Sequence, residues 1–129
     1  MTANAVNISQ TAATQCETYS GDNREDQSYS RWASPVKSYL VPVSEGLMRV
    51  QAGSGIDGVL VEYYDSGHNI LPKMTKHIPG ELPVFGAFYA GANAYFLLTG
   101  QNNPTQSADM EVFRLTKFSK SWERLSSVS

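Results

Sequence analysis

The segment VLVEYYDSGHNIL, from Val59 to Leu71, lies over FRLTKFSKSWERL, from Phe113 to Leu125, without a gap and at an offset of 54 residues. In both copies an aromatic residue ends a run of strand-forming residues, a short polar turn follows, and a leucine opens the next run. The alignment matches Val59 with Phe113, Val61 with Leu115, Tyr64 with Phe118, and Leu71 with Leu125. It predicts an internal repeat that uses the same hairpin twice.

Short runs rich in Val, Tyr, Phe, Leu and Thr, separated by Gly, Asn, Ser and Pro, predict eight strands. Pro42 predicts that the first strand lies at a sheet edge because proline has no N–H to donate, and Pro72 interrupts the fourth. The predicted strands are Ser38–Val43, Leu47–Ala52, Gly58–Asp65, Ile70–Ile78, Pro83–Ala90, Ala94–Gly100, Met110–Phe118 and Trp122–Val128. Four short strands in slightly more than 50 residues are typical of a β-propeller blade.

We therefore expect an all-β domain over residues 32–129, built of antiparallel four-stranded meanders. Two β-propeller-blade-like repeats would cover about residues 36–79 and 82–129, and a β-sandwich or barrel is the alternative. Residues 1–31 are polar and lack a sustained hydrophobic period, so we expect a flexible tail there. Propellers typically need at least four blades to close. The chain would thus be an amino-terminal piece of a longer protein, assemble with other copies through open strand edges, or form an independent sandwich or barrel.

Composition narrows the classes of function. The 129 residues carry a formal net charge of −2 with both signs scattered, which argues against a nucleic-acid-binding surface. No apolar run is long enough to span a membrane, and no secretory leader is visible at Met1. Cys16 is the only cysteine, so the chain has no internal disulfide or cysteine-rich zinc site.

The letters GSGIDG, from Gly53 to Gly58, match the dinucleotide-binding fingerprint. That motif requires a following helix whose N-terminus aims backbone N–H groups at a pyrophosphate, whereas strand-forming residues follow here. We interpret the string as a glycine-rich connector between two strands and expect no cofactor.

No constellation of catalytic or metal-binding residues stands out. His68 and His77 are the only histidines, and neither has a second ligand at metal-binding spacing. Asp57, Asp65 and Asp109 lack the alternating pattern of a calcium loop. We therefore assign no catalytic residue and no metal ligand.

Two groups of residues are candidates for ligand contact. Rings near turns can stack on a sugar or anchor a protein partner, and side-chain amides can both donate and accept hydrogen bonds. The aromatic candidates are Tyr89, Tyr95 and Trp122, and the amide candidates are Gln101, Asn102 and Asn103. Ordinary packing and turn formation are the competing interpretations.

The segments SYLVPV, PVFGAFYAGANAYFLLTGQNNP and EVFRLTKFSKSWERL resemble the opening propeller-like repeats of large uncharacterised secreted or surface proteins of Gram-positive bacteria. The resemblance covers roughly Trp32 to Ser129 and implies an extracellular or cell-surface location. It carries no known activity, so no catalytic residue is transferred. The chain departs from that pattern because it shows no leader and ends where the repeats would continue, which suggests a fragment or a shortened relative.

From these observations we expect a non-enzymatic binding or scaffold module with a protein or glycan partner. Two alternatives stay open at this stage. One is part of a carbohydrate-active hydrolase whose site is completed by further repeats, and the other is a self-assembling, lectin-like ring.

Overall fold

The computed structural model describes residues 37–53 and 55–129, so the predicted tail and Cys16 lie outside the described residues. Eight strands form two four-stranded antiparallel sheets, and in each sheet the strands follow one another in chain order. The first sheet contains β1 (Ser38–Val43), β2 (Gly46–Gln51), β3 (Val59–Tyr64) and β4 (Lys76–Ile78). The second sheet contains β5 (Val84–Ala90), β6 (Tyr95–Gly100), β7 (Phe113–Phe118) and β8 (Arg124–Val128). The predicted all-β fold of four-stranded meanders is confirmed, and neither sheet closes into a barrel.

The fourth strand differs most from the sequence prediction of Ile70–Ile78. Only Lys76–Ile78 pairs continuously with β3, and Ile70 makes an isolated bridge to Tyr64. Pro72 opens a 3-10 turn, Pro72–Met74, because its fixed φ suits the first helical position and its missing N–H would break a strand ladder. Among the described residues, no helix is long and apolar enough to cross a membrane.

The two sheets pack face to face around one hydrophobic core, and the faces that meet are called the inner faces below. Tyr39 on β1 lies edge-on to Phe85 and Phe88 on β5, with ring centroids 6.3 and 5.4 Å apart. Met48, Val50, Val59, Val61, Leu97 and Phe118 are among the other buried members of this cluster. The first strand of the first sheet, β1, therefore faces the first strand of the second sheet, β5, as in two neighbouring copies of the same unit.

The β3–β4 turn is organised by the Asp65 carboxylate. Its Oδ1 accepts the backbone N–H groups of Gly67 and Asn69, both at 2.9 Å, while the Asp65 N–H donates to the Asn69 carbonyl. His68 adopts the left-handed region at φ 63°. This combination, a tight turn closed by one left-handed residue, is a common hairpin connection.

The β7–β8 turn repeats this arrangement 54 residues later. Ser119 Oγ accepts the backbone N–H groups of Ser121 and Glu123 at 3.2 and 3.0 Å, and the Ser119 N–H donates to the Glu123 carbonyl. Trp122 takes the left-handed position at φ 67°. The correspondence extends to β3 and β7, whose first and last residues are also 54 apart. The predicted repeat of four-stranded meanders is confirmed by hydrogen bonds as well as by strand order.

Candidate functional site

Two of the predicted ligand-contacting rings, Tyr95 and Trp122, lie together in the core. Their ring centroids are 4.8 Å apart, and Trp122 also stacks on Phe88 at 5.8 Å. The indole N–H of Trp122 donates to the hydroxyl of Tyr63 on the first sheet at 3.2 Å. Burial raises the pKa of Tyr63 and of Tyr95. Their contact with a ligand stays a prediction. Trp122 joins the two sheets through its hydrogen bond to Tyr63, and Tyr95 packs against the indole ring.

Tyr89 lies on the opposite face of the second sheet, called the outer face. Its side chain is 67% exposed and tilts against the ring of Phe96 on β6, with centroids 6.2 Å apart. Tyr89 is therefore the predicted aromatic contact that remains available to a partner.

The three predicted amides lie in the β6–β7 loop. Gln101 Nε2 donates to the Glu111 carbonyl at 2.6 Å. Asn103 Nδ2 donates to the Ser107 carbonyl at 2.8 Å, and its Oδ1 accepts the Ser107 N–H at 3.0 Å. Asn102 is exposed between them. Two of the amides thus close the loop on itself, and Asn102 alone points to solvent.

The predicted contacts do not form one site. Tyr89 pairs with Phe96, near the start of β6, whereas Gln101 follows the end of that strand. Gln101 lies five positions beyond Phe96 along the extended chain, a distance of roughly 16 Å. Tyr95 and Trp122 face the core on the other side of the sheet.

A continuous apolar surface covers the outer face of the second sheet. Register places one aliphatic row, Ala87, Leu98, Leu115 and Val128, across all four strands, because directly paired residues share a face. Five large apolar members of the face are exposed, with Tyr89 at 67%, Phe113 at 64%, Val128 at 63%, Val84 at 48% and Leu115 at 39%. The outer face as a whole consists of Val84, Ala87, Tyr89, Phe96, Leu98, Gly100, Phe113, Leu115, Lys117, Ser126 and Val128.

The repeat explains what kind of surface this is. Phe113 and Leu115 occupy the positions of Val59 and Val61 in the first sheet, where both valines are 0% exposed beneath the second sheet. The side chains of Val59 and Val61 therefore point from the first sheet towards the second, and the equivalent side chains of Phe113 and Leu115 point the same way, out of the second sheet into solvent. The outer face is the counterpart of a face that is covered by a sheet in the first repeat. The 54-residue match contained this signal, since it paired buried valines with Phe113 and Leu115.

An ion-pair network that the sequence does not predict connects the linker between the sheets to the second sheet. Glu81 accepts hydrogen bonds from Arg124, from Arg114 Nη1 at 3.4 Å and from the Thr116 hydroxyl at 2.8 Å. The Arg124 hydrogen bond, aided by the Thr116 hydrogen bond, by the charge of Arg124 and by the Arg114 hydrogen bond, lowers the pKa of Glu81 to about 2. Arg114 is also held by Glu111, with Nε 2.7 Å from Oε1. Glu81 is therefore a structural carboxylate, fully paired and unsuited to act as a general base at neutral pH.

The remaining polar groups considered in the sequence serve turns and connectors. The connector that ends at Gly58 leads into β3, so the glycine-rich string is followed by a strand. The His77 ring N–H lies against the Asp57 carbonyl, and Asp57 Oδ1 accepts the Gly80 N–H at 3.3 Å. Within residues 37–53 and 55–129, no group of three or more His, Cys, Asp and Glu side chains is placed to hold a metal ion.

No family model, no curated protein and no solved structure matches this chain. The outer face of the second sheet is thus identified as the candidate functional site on the chain's own geometry, as an interaction surface in an all-β protein of two repeated meanders.

Proposed function

We propose that this chain is a non-enzymatic binding and scaffold module of an extracellular bacterial protein, and that it acts by stacking β-sheets. The outer face of the second sheet receives another four-stranded sheet of the same kind, supplied in the purified protein by a second copy of the chain. The extracellular setting rests on the resemblance of residues 32–129 to propeller-like repeats of surface proteins.

A single observation carries the proposal. Phe113 and Leu115 are exposed at the positions where the first repeat has Val59 and Val61 covered by a sheet. Exposed apolar surface of this kind is costly in water and marks an interaction site when it is contiguous.

The outer face of the first sheet is different, and this decides how two copies meet. It carries the largely buried ion pair of Arg49 with Glu62, 3.3 Å apart, and the buried side chain of Leu60. It therefore does not offer a matching exposed apolar face for head-to-tail stacking. We expect two copies to associate through their second sheets about a two-fold axis, the commonest symmetry of protein dimers.

The size of the face sets the expected affinity. Four strands about 4.8 Å apart and about six residues long span roughly 400 Å² of sheet plane. Stable complexes usually bury about 800 Å² on each partner, so we expect a reversible dimer with a micromolar dissociation constant.

Sedimentation equilibrium between about 1 μM and 1 mM tests the proposal. We expect the mass to rise from monomer to dimer over this range, and Phe113→Glu or Leu115→Glu to hold the protein monomeric. Leu40→Glu is the matched control, because Leu40 is 66% exposed on β1 and Phe113 is 64% exposed on β7. A protein that stays monomeric at the highest concentration contradicts the proposal.

The Leu115 variant also separates this mode from association through open strand edges. Leu115 lies on β7, which is flanked by β6 and β8 and is not an edge strand. Edge pairing would survive Leu115→Glu, whereas face stacking would not. Dimers that are equally stable in the wild-type protein and in Leu115→Glu would therefore overturn the face-stacking mode.

A further inference from the structure

A pocket with a volume of about 370 Å³ lies between the two sheets, and Val84 is the one described residue of its wall that also belongs to the outer face of the second sheet. It opens where β2 runs into the glycine-rich connector and where the linker from β4 enters β5. Its wall is formed by Lys37, Ala52, Gly53, Ile56, Gly58, Leu82, Pro83, Val84, Phe85 and Thr99. The volume falls in the lower part of the range for small-molecule sites, which is about 300–1,000 Å³.

The chemistry of the wall is largely apolar with one cation. Ile56, Leu82 and Phe85 provide aliphatic and aromatic surface, and Lys37 is the only charged residue among the described residues of the wall. No described carboxylate makes an ion pair with the Lys37 ammonium group, and the described residues that line the pocket include no acid. A ligand with an apolar body and one negative charge matches this distribution.

Thr99 supplies the second observation that points to a ligand. Its side chain is 4% exposed, it forms part of the wall, and its hydroxyl has no hydrogen-bond partner among the described residues. Buried hydroxyl groups are nearly always hydrogen-bonded, so an orphaned one next to a cavity indicates a partner that occupies the cavity.

The two connectors that form the mouth of the pocket are fixed to each other. Gly58 adopts φ 77°, and a Cβ at this position would lie 2.0 Å from the Ile78 carbonyl oxygen. The Gly80 N–H donates to Asp57 Oδ1 at 3.3 Å. Because these contacts fix the glycine-rich connector against the linker, the pocket is preformed, and binding does not require the loss of conformational entropy that ordering its walls would cost.

We propose that this pocket binds a small monocarboxylate with an apolar body, such as a single aromatic ring on a short alkyl chain. The carboxylate pairs with the Lys37 ammonium group, the ring packs against Ile56, Leu82 and Phe85, and the Thr99 hydroxyl donates to an acceptor of the ligand. A cavity of about 150 Å³ already holds a benzene ring, so the pocket has room for the ring and its chain. This proposal does not depend on dimer formation, because the pocket lies between the sheets of one chain.

Titration of the 15N-labelled chain with 3-phenylpropionate, and separately with the uncharged 3-phenylpropanamide, tests the proposal by chemical-shift changes. We expect saturable binding of the carboxylate at about 1 mM or tighter, at least about tenfold stronger than that of the amide. The shifts should be confined to the amides of the described wall residues and the connector between them, namely residues 37, 52, 53, 55–58, 82, 84, 85 and 99. Equal binding of the two probes, no saturation by either up to about 10 mM, or shifts located elsewhere would overturn the proposal.

Two variants assign the roles of the polar groups. Lys37→Met should weaken carboxylate binding about tenfold and leave amide binding unchanged, since it removes only the charge. Thr99→Val keeps the side-chain shape and should weaken both probes about threefold or more. Lys73→Met and Thr105→Val, which change exposed residues outside the pocket, are the matched controls. If Lys37→Met binds the carboxylate as tightly as Lys73→Met does, the charge assignment is wrong, and melting curves of each variant show whether the fold is intact.

Discussion

At the level of single residues, the two repeats place very different side chains in the same backbone conformation. His68 and Trp122 are 54 positions apart, and both occupy the left-handed region that favours glycine. His68 is exposed, whereas Trp122 is 6% exposed and packs on Phe88, Tyr95 and Phe118. The backbone strain is therefore common to both turns, and the packing that offsets it belongs to Trp122 alone.

Alanine substitution at these two positions separates strain from packing. Trp122→Ala should lower the free energy of unfolding by about 3–5 kcal/mol, because it leaves a cavity between the sheets and removes the hydrogen bond to Tyr63. His68→Ala makes the same backbone change at an exposed site and should cost less than about 1 kcal/mol. Urea denaturation of both variants measures the difference, and equal losses would show that the indole does not join the sheets.

The glycine-rich connector offers a second matched pair. Gly55 and Gly58 have nearly equal φ angles, 79° and 77°, but a Cβ at Gly55 meets open space and one at Gly58 collides with the backbone of Ile78 and Gly80. Gly58→Ala should therefore lower the free energy of unfolding by more than about 3 kcal/mol, and Gly55→Ala by about 1–2 kcal/mol. Thermal melts of the two variants provide the test, and similar melting temperatures would contradict the close approach.

At the level of structural elements, the linker between the sheets is anchored by charge. Glu81 ends up against Arg114 on β7 and Arg124 on β8, 33 and 43 residues away in the chain. A carboxylate held by two guanidinium groups and a threonine hydroxyl keeps the linker on the second sheet. The ionised form of Glu81 therefore contributes to holding the linker in place.

The lowered pKa of Glu81 leads to a dependence of stability on pH. The pKa is about 2 in the folded chain against an ordinary 4.5, so the unfolded chain takes up a proton first as the pH falls. The stabilisation is complete above pH 4.5 and is lost progressively as the pH falls from there through 2.

We expect the stabilisation lost by protonation of Glu81 to be about 1–2 kcal/mol after screening by solvent. It is measured as the change in the free energy of unfolding between pH 7 and pH 2. Glu81→Gln should be less stable than the wild-type protein at pH 7, and the two curves should converge near pH 2. Glu123→Gln changes an exposed glutamate in the β7–β8 turn and should run parallel to the wild-type curve. Curves of Glu81→Gln and the wild-type protein that stay parallel down to pH 2 would contradict the assignment.

Strands and turns were predictable because their signals are local. The β-branched and aromatic residues of β3 predicted a strand there. The turns at Asp65 and Ser119 were predictable because these residue types form hydrogen bonds to their own backbone. The Ile70–Ile78 prediction was wrong in its first half, since one proline outweighed the apolar residues around it. The sequence did not predict the ion pairs of Glu81, because Arg114 and Arg124 come close to it only in the folded structure. The pocket was not predictable for the same reason, since Lys37 precedes β1 of the first sheet and Thr99 lies on β6 of the second sheet.

At the level of the whole molecule, the two sheets share one core and should unfold together. Residues of both sheets, from Met48 and Val61 to Leu97 and Phe118, belong to a single cluster. Neither four-stranded sheet would keep a covered apolar face if the other were lost. The described part of the chain is therefore one cooperative unit, although its topology is that of two separate meanders.

Hydrogen exchange on a core variant tests this cooperativity. Met48→Ala, at a 0% exposed position of β2, should cost about 2–5 kcal/mol and reduce amide protection equally in β3 and in β6. Leu40→Ala, at an exposed position of β1, should leave protection in β6 unchanged. Loss of protection confined to the first sheet would show that the sheets unfold independently.

The orientation of equivalent residues gives the pair of sheets a direction. Because Val59 and Val61 point into the pair while Phe113 and Leu115 point out of it, adding a further identical unit would bury one apolar face and create another. Nothing in such an array limits the number of units, because every added unit exposes a new apolar face. Repeat proteins solve this problem with terminal units whose outer faces are polar. The growth of such an array must end by closing on itself, by a cap of different composition or, as proposed here, by two arrays meeting front to front.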